Sequence, residues 1–361
     1  MLIACRMSPK QKADIVRMIQ EHSPLATTLS IGDGANDVNM INAAHIGVGI
    51  SGLEGQQASS ASDYAIGEFK FLKTLLFYHG REDYRRNCYL VNYTFYKNIF
   101  FVMPHFFMAF HSMASGVSFY EEWLYQIFNI FFAGVPIMIY ALIDEEHSRK
   151  DLLSKPELYK IGPKNYCFTT RLFWTKWVFY GVAQAALLFY VTFLSFGFSP
   201  QVPGGDIGDI WVEGSFVYGA VAIIVNLKLL YDGNTHTFAS MFLIWLQILT
   251  FFVMFALFAS IKDLTIYGLA DEIPRWPIFY MAIIYFALMP VPIDTAIRMI
   301  EKEYIQEKEQ EEEIHMMDYQ RKLTKGLDKS KFKHLMHNHK GYAFSGDSGQ
   351  VPQITDKLRV A

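Results

Sequence analysis

Cysteine is scarce in this chain of 361 residues, which contains only Cys5, Cys88 and Cys167. The three form neither an even set nor a CxxC pair, so they indicate neither a zinc site nor a disulfide framework. The net charge of −3 shows no large excess of either sign, which excludes a nucleic-acid-binding protein and an acidic solvating chain. We also expect no cleavable signal peptide, because the first residues lead almost at once into a charged segment.

Long apolar runs occupy the chain from about Leu90 onward, and six of them approach the roughly 20 residues needed to cross a bilayer. We therefore predict an all-α domain of six transmembrane helices over residues 91–300. The predicted spans are approximately residues 91–112, 123–143, 173–195, 211–230, 239–260 and 278–297. The alternative is a soluble all-helical protein, but six separate runs of this length rarely bury themselves in one core.

Basic residues are distributed unevenly among the loops between these predicted spans. The loop 196–210 contains no Lys or Arg, whereas the loop after the second span is rich in both, with Arg149, Lys150, Lys155, Lys160, Lys164 and Arg171. Lys and Arg concentrate in cytosolic loops, so the loop after the second span is predicted to be cytosolic. With an even number of spans, both ends of the membrane region and both termini are expected on the cytosolic side.

Residues 32–42 read Gly-Asp-Gly-Ala-Asn-Asp-Val-Asn-Met-Ile-Asn and follow a β-branched segment, 26–31, that predicts a buried strand. Asp33 and Asp37 are therefore expected at the strand's carboxyl end, which is the edge where open parallel α/β sheets bind ligands. Mg²⁺ prefers carboxylate and water oxygens beside phosphate oxygens, so the pair fits a magnesium and phosphate site. The alternative is an ordinary Asp-Gly turn in which Asn36 or Asp37 caps the next helix.

A second charged segment lies upstream, where residues 6–12 read Arg-Met-Ser-Pro-Lys-Gln-Lys. Pro9 fits the first turn of an amphipathic helix. Lys12 is then in the opening turns of that helix, where its ammonium group could reach a phosphoryl group. Considered alone, Lys12 would more often be a solvated surface lysine.

Together the two segments resemble the P-type ATPases, and within them the type IV phospholipid flippases. Residues 47–58 and 61–66 are also similar to flippase sequence. The resemblance implies a haloacid-dehalogenase-like, Rossmann-type α/β phosphorylation domain, of which residues 1–80 would be the C-terminal part. It also implies ATP as substrate, Mg²⁺ as cofactor and an aspartyl-phosphate cycle.

The same resemblance implies a role for each residue of the two segments. Lys12 would neutralise the phosphorylated aspartate, and Asp33 and Asp37 would hold Mg²⁺. Asn36 would complete the site together with Asp37, and Arg6 would contact the nucleotide. Lys12, Asp33 and Asp37 are thus the catalytic candidates, while Arg6, Lys12, Asn36 and Asp37 are the nucleotide-binding candidates.

Residues 81–90 are helix-compatible and continue without Gly or Pro into the first predicted span, so we interpret them as a rigid stalk helix. A simple charged linker is the alternative. Lys97 lies inside the first span, where a lysine costs about 2.5 to 3.5 kcal/mol on insertion scales and usually faces a polar cavity or a transport path. Near the cytosolic end it could instead snorkel. The resemblance makes Lys97 and Asn98 candidates for the lipid path.

Acidic residues are nearly absent between Leu90 and Leu142, where only Glu121 and Glu122 occur. Cation pumps need carboxylates or other oxygen ligands to replace the hydration of their ions. An uncharged, aromatic-rich path therefore suits a lipid headgroup better than a bare cation. We predict transport of an aminophospholipid such as phosphatidylserine to the cytosolic leaflet. A cation-transporting P-type ATPase and a non-catalytic membrane protein with a remnant phosphate-binding domain are the alternatives.

The chain after about residue 300 is a dense mixed-charge run followed by a basic stretch, which predicts a cytosolic regulatory tail, largely disordered, over 301–361. Within it, Gly341, Tyr342, Ala343, Phe344 and Ser345 resemble the element by which some flippase tails dock into the nucleotide site and inhibit. The resemblance also implies an accessory β-subunit glycoprotein, a phospholipid substrate in the bilayer, and residence in the plasma membrane or in Golgi or endosomal membranes.

The sequence departs from the complete flippase pattern, because it contains no Asp-Lys-Thr-Gly-Thr nucleophile motif. It also shows no nucleotide-binding domain, no actuator loop and no first four spans. We therefore expect the chain to correspond to the C-terminal part of a flippase, and to be unable to turn over ATP by itself.

Overall fold

The computed structural model describes residues 5–23, 27–52, 56–155, 158–159, 173–197, 209–275, 277–288 and 291–300, together with the single positions 303, 314 and 317. The chain divides into one unit that spans Met1–Ile297 and another that spans Arg298–Ala361. Apart from the three single positions, the predicted tail at 301–361 lies outside the described residues. So does Cys167, whereas Cys5 is an exposed free thiol and Cys88 a buried one.

The first part of the chain forms a three-stranded parallel sheet with strand order β1-β2-β3. The strands are β1 (Leu29–Gly32), β2 (Ile46–Ile50) and β3 (Tyr64–Ile66). Helix α1 (Pro9–His22) precedes the sheet, α2 (Val38–Ala43) connects β1 to β2, and α3 (Gln57–Ala61) connects β2 to β3. Parallel strands require such crossover connections, and here they bring the carboxyl ends of all three strands to one edge.

The sheet and its helices pack closely around the central strand β2. Val48 of β2 and Ala58 of α3 are fully buried. A Cβ atom at Gly49 would overlap the backbone of Ala58 and Ser59, so glycine is needed where α3 crosses the strand. This small α/β layer places the loop after β1 at an open edge.

A continuous helical segment joins the sheet to the remaining helices. Helix α4 (Phe71–Thr74) continues through a π-helical turn at Leu75–Gly80 into α5 (Arg81–His111), which is 31 residues long. The stalk predicted at 81–90 and the first predicted span at 91–112 are therefore parts of one helix. Pro104 lies within α5 without ending it.

The helical part continues with shorter and longer helices. They are α6 (Glu122–Ile127), α7 (Val135–Ile143), α8 (Arg149–Ser154), α9 (Tyr180–Gly197), α10 (Ile210–Asp232), α11 (Phe238–Ala259), α12 (Leu269–Glu272) and α13 (Pro277–Leu288). Residues 291–300 are also helical. Glu121 caps α6 by accepting the backbone N–H groups of Trp123 and Leu124.

Four helical stretches within the described residues are long and apolar enough to cross a membrane. They are Glu122–Ile143, Trp174–Ser195, Ile210–Asp232 and Phe238–Ala259. These four coincide with four of the six predicted spans. The first predicted span lies in α5 and the sixth overlaps α13 and positions 291–300, and their membrane crossing stays a prediction.

Aromatic side chains and the central helix α10 form the core of the helical part. Tyr93, Phe100 and Phe128 are fully buried, and the rings of Phe101 and Phe128 stack with their centroids 3.9 Å apart. Helix α10 packs against α5, α7, α9, α11 and α13. A helix that is apolar on all sides is stable when it is surrounded in this way.

Candidate functional site

Lys12 and Asp37 meet at the carboxyl end of β1. Ser8 and Gln11 form a capping box that starts α1 at Pro9, as the sequence predicted, and so places Lys12 in the opening turns. Asp37 ends a 3₁₀ turn at Ala35–Asp37 that follows β1. The ammonium Nζ of Lys12 lies 2.6 Å from the Oδ1 atom of Asp37.

Asp37 does not act as a helix cap, although it occupies the cap position of α2. Its side chain makes no capping hydrogen bond and contacts Lys12 instead. The carboxylate also folds over Gly32, where a Cβ atom would overlap the Asp37 side chain. The alternative of a plain capped turn at Asp37 is therefore wrong for this residue.

An open groove of about 720 Å³ passes over this edge, and Arg6, Lys12, Asp33 and Asp37 all line it. Asp33 is exposed, and Asn36 is exposed beside Asp37 in the 3₁₀ turn. Arg6 has a left-handed backbone with φ of 52°, a conformation that is uncommon for a residue other than glycine and that occurs often at ligand sites. Two cations and two carboxylates thus surround one concave space.

The carboxylates of this groove fit a magnesium ion that also binds phosphate. Among the described residues, no group of three or more His, Cys, Asp or Glu side chains could hold a metal by itself. Mg²⁺ commonly takes one or two carboxylates and completes its octahedral shell with phosphate oxygens and water. Asp33 and Asp37 supply that number of carboxylates, but Asp37 would have to exchange its contact with Lys12 for the ion, with a phosphoryl group taking its place at the Lys12 ammonium.

The two lipid-path candidates lie on different sides of α5. Lys97 is buried, and its Nζ atom lies 3.5 Å from the carbonyl oxygen of Ala133. Asn98 is exposed. Consecutive residues of a helix point about 100° apart, so the structure does not bring these two side chains together.

Comparison with known proteins identifies the family. The family model for the C-terminal region of phospholipid-translocating P-type ATPases matches residues 59–307. The chain belongs to the phospholipid-translocating P-type ATPases. With four helices in the described part of the chain that are long and apolar enough to cross a membrane, it is a multi-pass membrane protein.

Several members of this family are similar to the chain over most of its length. Phospholipid-transporting ATPase IC of Xenopus tropicalis is 33% identical over 370 residues, which cover 97% of this chain and 29% of that protein. Phospholipid-transporting ATPase DRS2 of Saccharomyces cerevisiae is 40% identical over 262 residues, which cover 72% of this chain and 19% of that protein. Phospholipid-transporting ATPase IH of Mus musculus is 39% identical over 257 residues, which cover 71% of this chain and 21% of that protein. The chain thus spans less than a third of the length of these relatives.

The predicted inhibitory element of this ATPase-family chain, Gly341 to Ser345, lies outside the described residues. Its role stays a prediction.

The sequence did not predict a buried charge network at the start of α5. Arg81 contacts Glu82 and also Glu146, whose Oε2 lies 2.7 Å from the Arg81 Nη2. Arg85 contacts Glu82 at 2.9 Å and Asp144 at 2.8 Å. The spacing of Arg81 and Arg85 places both on one helix face. Glu82 is a neighbour on the same helix, but nothing local in the sequence indicated that Asp144 and Glu146, from the segment after α7, would also be partners.

Asp144 links this network to the turn between α10 and α11. Its Oδ1 atom accepts the backbone N–H groups of Asn234 at 2.8 Å and Thr235 at 2.9 Å. Burial raises the pKa of the Asp144 carboxyl, but the Thr235 N–H and the Arg85 guanidinium lower it by more, so the pKa lies below its ordinary value. The network therefore joins the first helix of the bundle to two of its connecting segments.

A second buried ion cluster centres on Lys228 of α10. Its Nζ atom lies 3.0 Å from Asp294 and 3.5 Å from Asp232. Three aromatic rings surround the ammonium, with centroids 5.2 Å away for Tyr96, 5.7 Å for Trp177 and 5.3 Å for Tyr180. A sequence signal for this cluster existed, because Lys228 and Asp294 are opposite charges inside two predicted spans, and such residues usually pair.

Proposed function

We propose that the chain is the C-terminal portion of an ATP-driven phospholipid flippase, which moves an aminophospholipid such as phosphatidylserine from the outer or lumenal leaflet to the cytosolic leaflet. The observation that carries the proposal is the family match over residues 59–307. The groove at Lys12, Asp33 and Asp37 supports it, since a flippase needs a phosphate site of this chemistry. Residues 1–80 would be the C-terminal part of a haloacid-dehalogenase-like phosphorylation domain.

The phosphate site would work by positioning and electrostatics in an aspartyl-phosphate cycle. During phosphoryl transfer, negative charge spreads over the oxygens of the transferred group, and the protein has little covalent chemistry to perform. Lys12 would approach the phosphoryl oxygens, and Arg6 and Asn36 would orient the nucleotide in the groove. Asp33 and Asp37 would hold Mg²⁺, which supplies neutralisation of phosphate charge when bound.

Helix α5 would transmit a displacement caused by phosphorylation from the sheet into the membrane domain. The segment from Phe71 to His111 is helical without interruption, so a displacement at the sheet can reach the level of Lys97 through one element. A membrane domain with six spans would place the cation-rich loop after α7 and both termini in the cytosol. The two spans beyond the four apolar helices are part of this proposal.

The Lys228 cluster supports a lipid rather than a cation as the transported species. Carboxylates of a cation path must be free to replace the ion's hydration shell. Asp232 and Asp294 are instead held by the resident ammonium of Lys228. Lys97 in the adjoining helix is a further buried positive charge, which suits an anionic headgroup.

The proposal is tested with the complete ATPase, purified with its accessory β-subunit and reconstituted in vesicles. Vesicles that contain phosphatidylserine should stimulate ATP hydrolysis relative to vesicles of phosphatidylcholine alone, and labelled phosphatidylserine should move to the leaflet on the ATP side. Asp33→Asn should abolish both activities. Phosphorylation that depends on Na⁺, K⁺ or Ca²⁺ and does not respond to any lipid would instead establish a cation pump.

Two further parts of the proposal concern the chain itself. Residues 1–361 alone should form no hydroxylamine-sensitive phosphoenzyme from ATP, because the sequence contains no Asp-Lys-Thr-Gly-Thr motif. Deleting residues 341–345 from the complete ATPase should raise its basal activity, and an unchanged activity would reject inhibition by this element. We place the protein in the plasma membrane or in Golgi or endosomal membranes.

A further inference from the structure

The second predicted span is not one regular helix. Helix α6 passes into a π-helical turn at Phe128–Phe132, and α7 begins only at Val135. Pro136 has no backbone N–H to offer the preceding turn, and a Cβ atom at Gly134 would overlap the carbonyl oxygen of Asn129. The interruption lies near the middle of the apolar stretch Glu122–Ile143 and therefore near the bilayer midplane.

Three side chains from three other helices approach the consecutive carbonyl groups at this interruption. Gln247 of α11 donates from its Nε2 to the Phe131 oxygen at 2.6 Å. Asn226 of α10 donates from its Nδ2 to the Phe132 oxygen at 2.7 Å. The Lys97 ammonium of α5 lies 3.5 Å from the Ala133 oxygen.

An interrupted membrane helix has backbone carbonyl groups that lack donors, and these contacts supply donors to them. The last carbonyl groups of a helix have no partner within it, and the bilayer core supplies no water to replace that partner. Side chains of neighbouring helices are therefore required, and Asn226, Gln247 and Lys97 are all buried. The interruption is thus held open by donors and does not collapse back into an α-helix.

The amide side chains donate at the turn while their oxygens remain available. Among the described residues, the Oδ1 atom of Asn226 and the Oε1 atom of Gln247 have no hydrogen-bond donor within reach. Asn226 also donates to the Ala222 carbonyl of its own helix at 2.8 Å, which fixes the amide orientation. Both residues therefore present their donor groups to the turn.

We propose that Asn226 and Gln247 are positioning residues of the lipid path, which hold the interrupted helix at Phe131–Ala133 in place beside Lys97. The proposal rests on the proposed flippase function. Discontinuous helices at the midplane commonly form the binding sites of transporters, because their backbone groups are free to meet a substrate. Here the held turn fixes the carbonyl that faces the Lys97 ammonium, and so fixes where that charge meets a lipid headgroup.

The test measures lipid-stimulated ATP hydrolysis and phosphoenzyme formation in the complete reconstituted ATPase. Gln247→Met and Asn226→Leu keep the approximate shape of each side chain but remove the donors. Each should raise the KM for phosphatidylserine about threefold to tenfold, the effect of losing one net hydrogen bond to the interrupted turn, while the phosphoenzyme level from ATP stays within about twofold of wild type. Thr250→Val is the matched control, because Thr250 lies on the same helix and bonds only to its own helix at Leu246. Its KM should equal that of wild type.

Gln247→Glu distinguishes a donor from a space-filling group. A glutamic acid can donate to the Phe131 oxygen only while it is protonated. The KM of Gln247→Glu relative to wild type should therefore increase with pH, whereas that of Gln247→Met should stay constant. A constant ratio for Gln247→Glu would count against a donor role.

The outcomes separate this proposal from the function on which it rests. An unchanged KM for Gln247→Met and Asn226→Leu in a lipid-stimulated ATPase would overturn the positioning role alone. Loss of phosphoenzyme formation in both variants would show a purely structural role and would also overturn it. A wild-type enzyme that no phospholipid stimulates would reject the flippase function together with this proposal.

Discussion

Lys12 and Asp37 are 25 positions apart in the sequence, yet their charged groups lie 2.6 Å apart beside the carboxyl end of β1. The Lys12 side chain is one-third exposed, and ion pairs with that much solvent contact contribute little to folding, typically less than about 1 kcal/mol. The pair instead holds the Lys12 ammonium group at the groove, where we propose that a phosphoryl group binds.

We predict that Lys12→Met slows phosphoenzyme formation from ATP in the complete ATPase by at least about 100-fold, the scale of removing one charge-stabilising donor from a reaction site. The free energy of unfolding should change by less than about 1 kcal/mol. Lys10→Met is the matched control on the same helix, because Lys10 is exposed and does not line the groove. Labelling of Lys12→Met at the wild-type rate would contradict the role of Lys12.

A glycine controls the position of the Asp37 carboxylate. We predict that Gly32→Ala lowers the free energy of unfolding by about 1 to 3 kcal/mol, because the new methyl group overlaps the Asp37 side chain and forces it to shift. Gly34→Ala should change it by less than about 0.5 kcal/mol, since no heavy atom lies within 4 Å of the added Cβ. The two free energies of unfolding are compared by thermal unfolding of both variants. Equal stability would show that the turn after β1 adapts freely.

At the scale of elements, the sequence predicted those features that depend on neighbouring residues. Pro9 and the charged residues after it located the start of α1, and apolar runs located the four spans. The position of the break at Ala133 was not predicted: Pro136 could kink or open the span, but prolines in membrane helices are often only packing features. The contact of Arg85 with Asp144 was out of reach, since Asp144 lies 59 positions away and no periodicity joins the two.

The network around Asp144 binds α5 to the segments after α7 and α10. We predict that Asp144→Asn lowers the stability of the detergent-solubilised protein at pH 7 by about 1 to 3 kcal/mol, because Arg85 then keeps only Glu82, which it shares with Arg81, as a buried counter-charge. Asp263→Asn, an exposed loop substitution, should have no such effect.

The Asp144 carboxylate also predicts how the stability of the folded protein depends on pH. Because the pKa of Asp144 is depressed in the folded state, its stabilisation is complete above the ordinary carboxyl pKa of about 4 and is lost as the pH falls through the lower folded value. Wild-type unfolding temperature should therefore decrease below about pH 4, and Asp144→Asn should show a smaller decrease. An equal decrease in both proteins would exclude Asp144 as the titrating group.

At the scale of the whole molecule, buried charges mark where the membrane helices are joined. Lys228 reaches from α10 to Asp294, 66 positions away in the last described helical stretch, and lies among rings from α5 and from the segment that leads into α9. Hydropathy locates the spans but does not indicate which of them are in contact. The pairing of opposite charges within apolar segments adds that information, because each charge alone would be costly in the bilayer.

We predict that Lys228→Met destabilises the protein by about 3 to 5 kcal/mol, because the buried Asp294 carboxylate then loses the Lys228 ammonium. The double variant Lys228→Met with Asp294→Asn should be less destabilised than the sum of its single variants by about 0.5 to 3 kcal/mol, since it removes both members of a contact. Lys262→Met, in an exposed loop, is the control for loss of a lysine. Thermal unfolding in detergent measures the wild type, the two single variants, the double variant and the control. Additive effects would show that Lys228 and Asp294 do not interact in the folded protein, and would remove the argument that a resident cation occupies these carboxylates in place of a transported one.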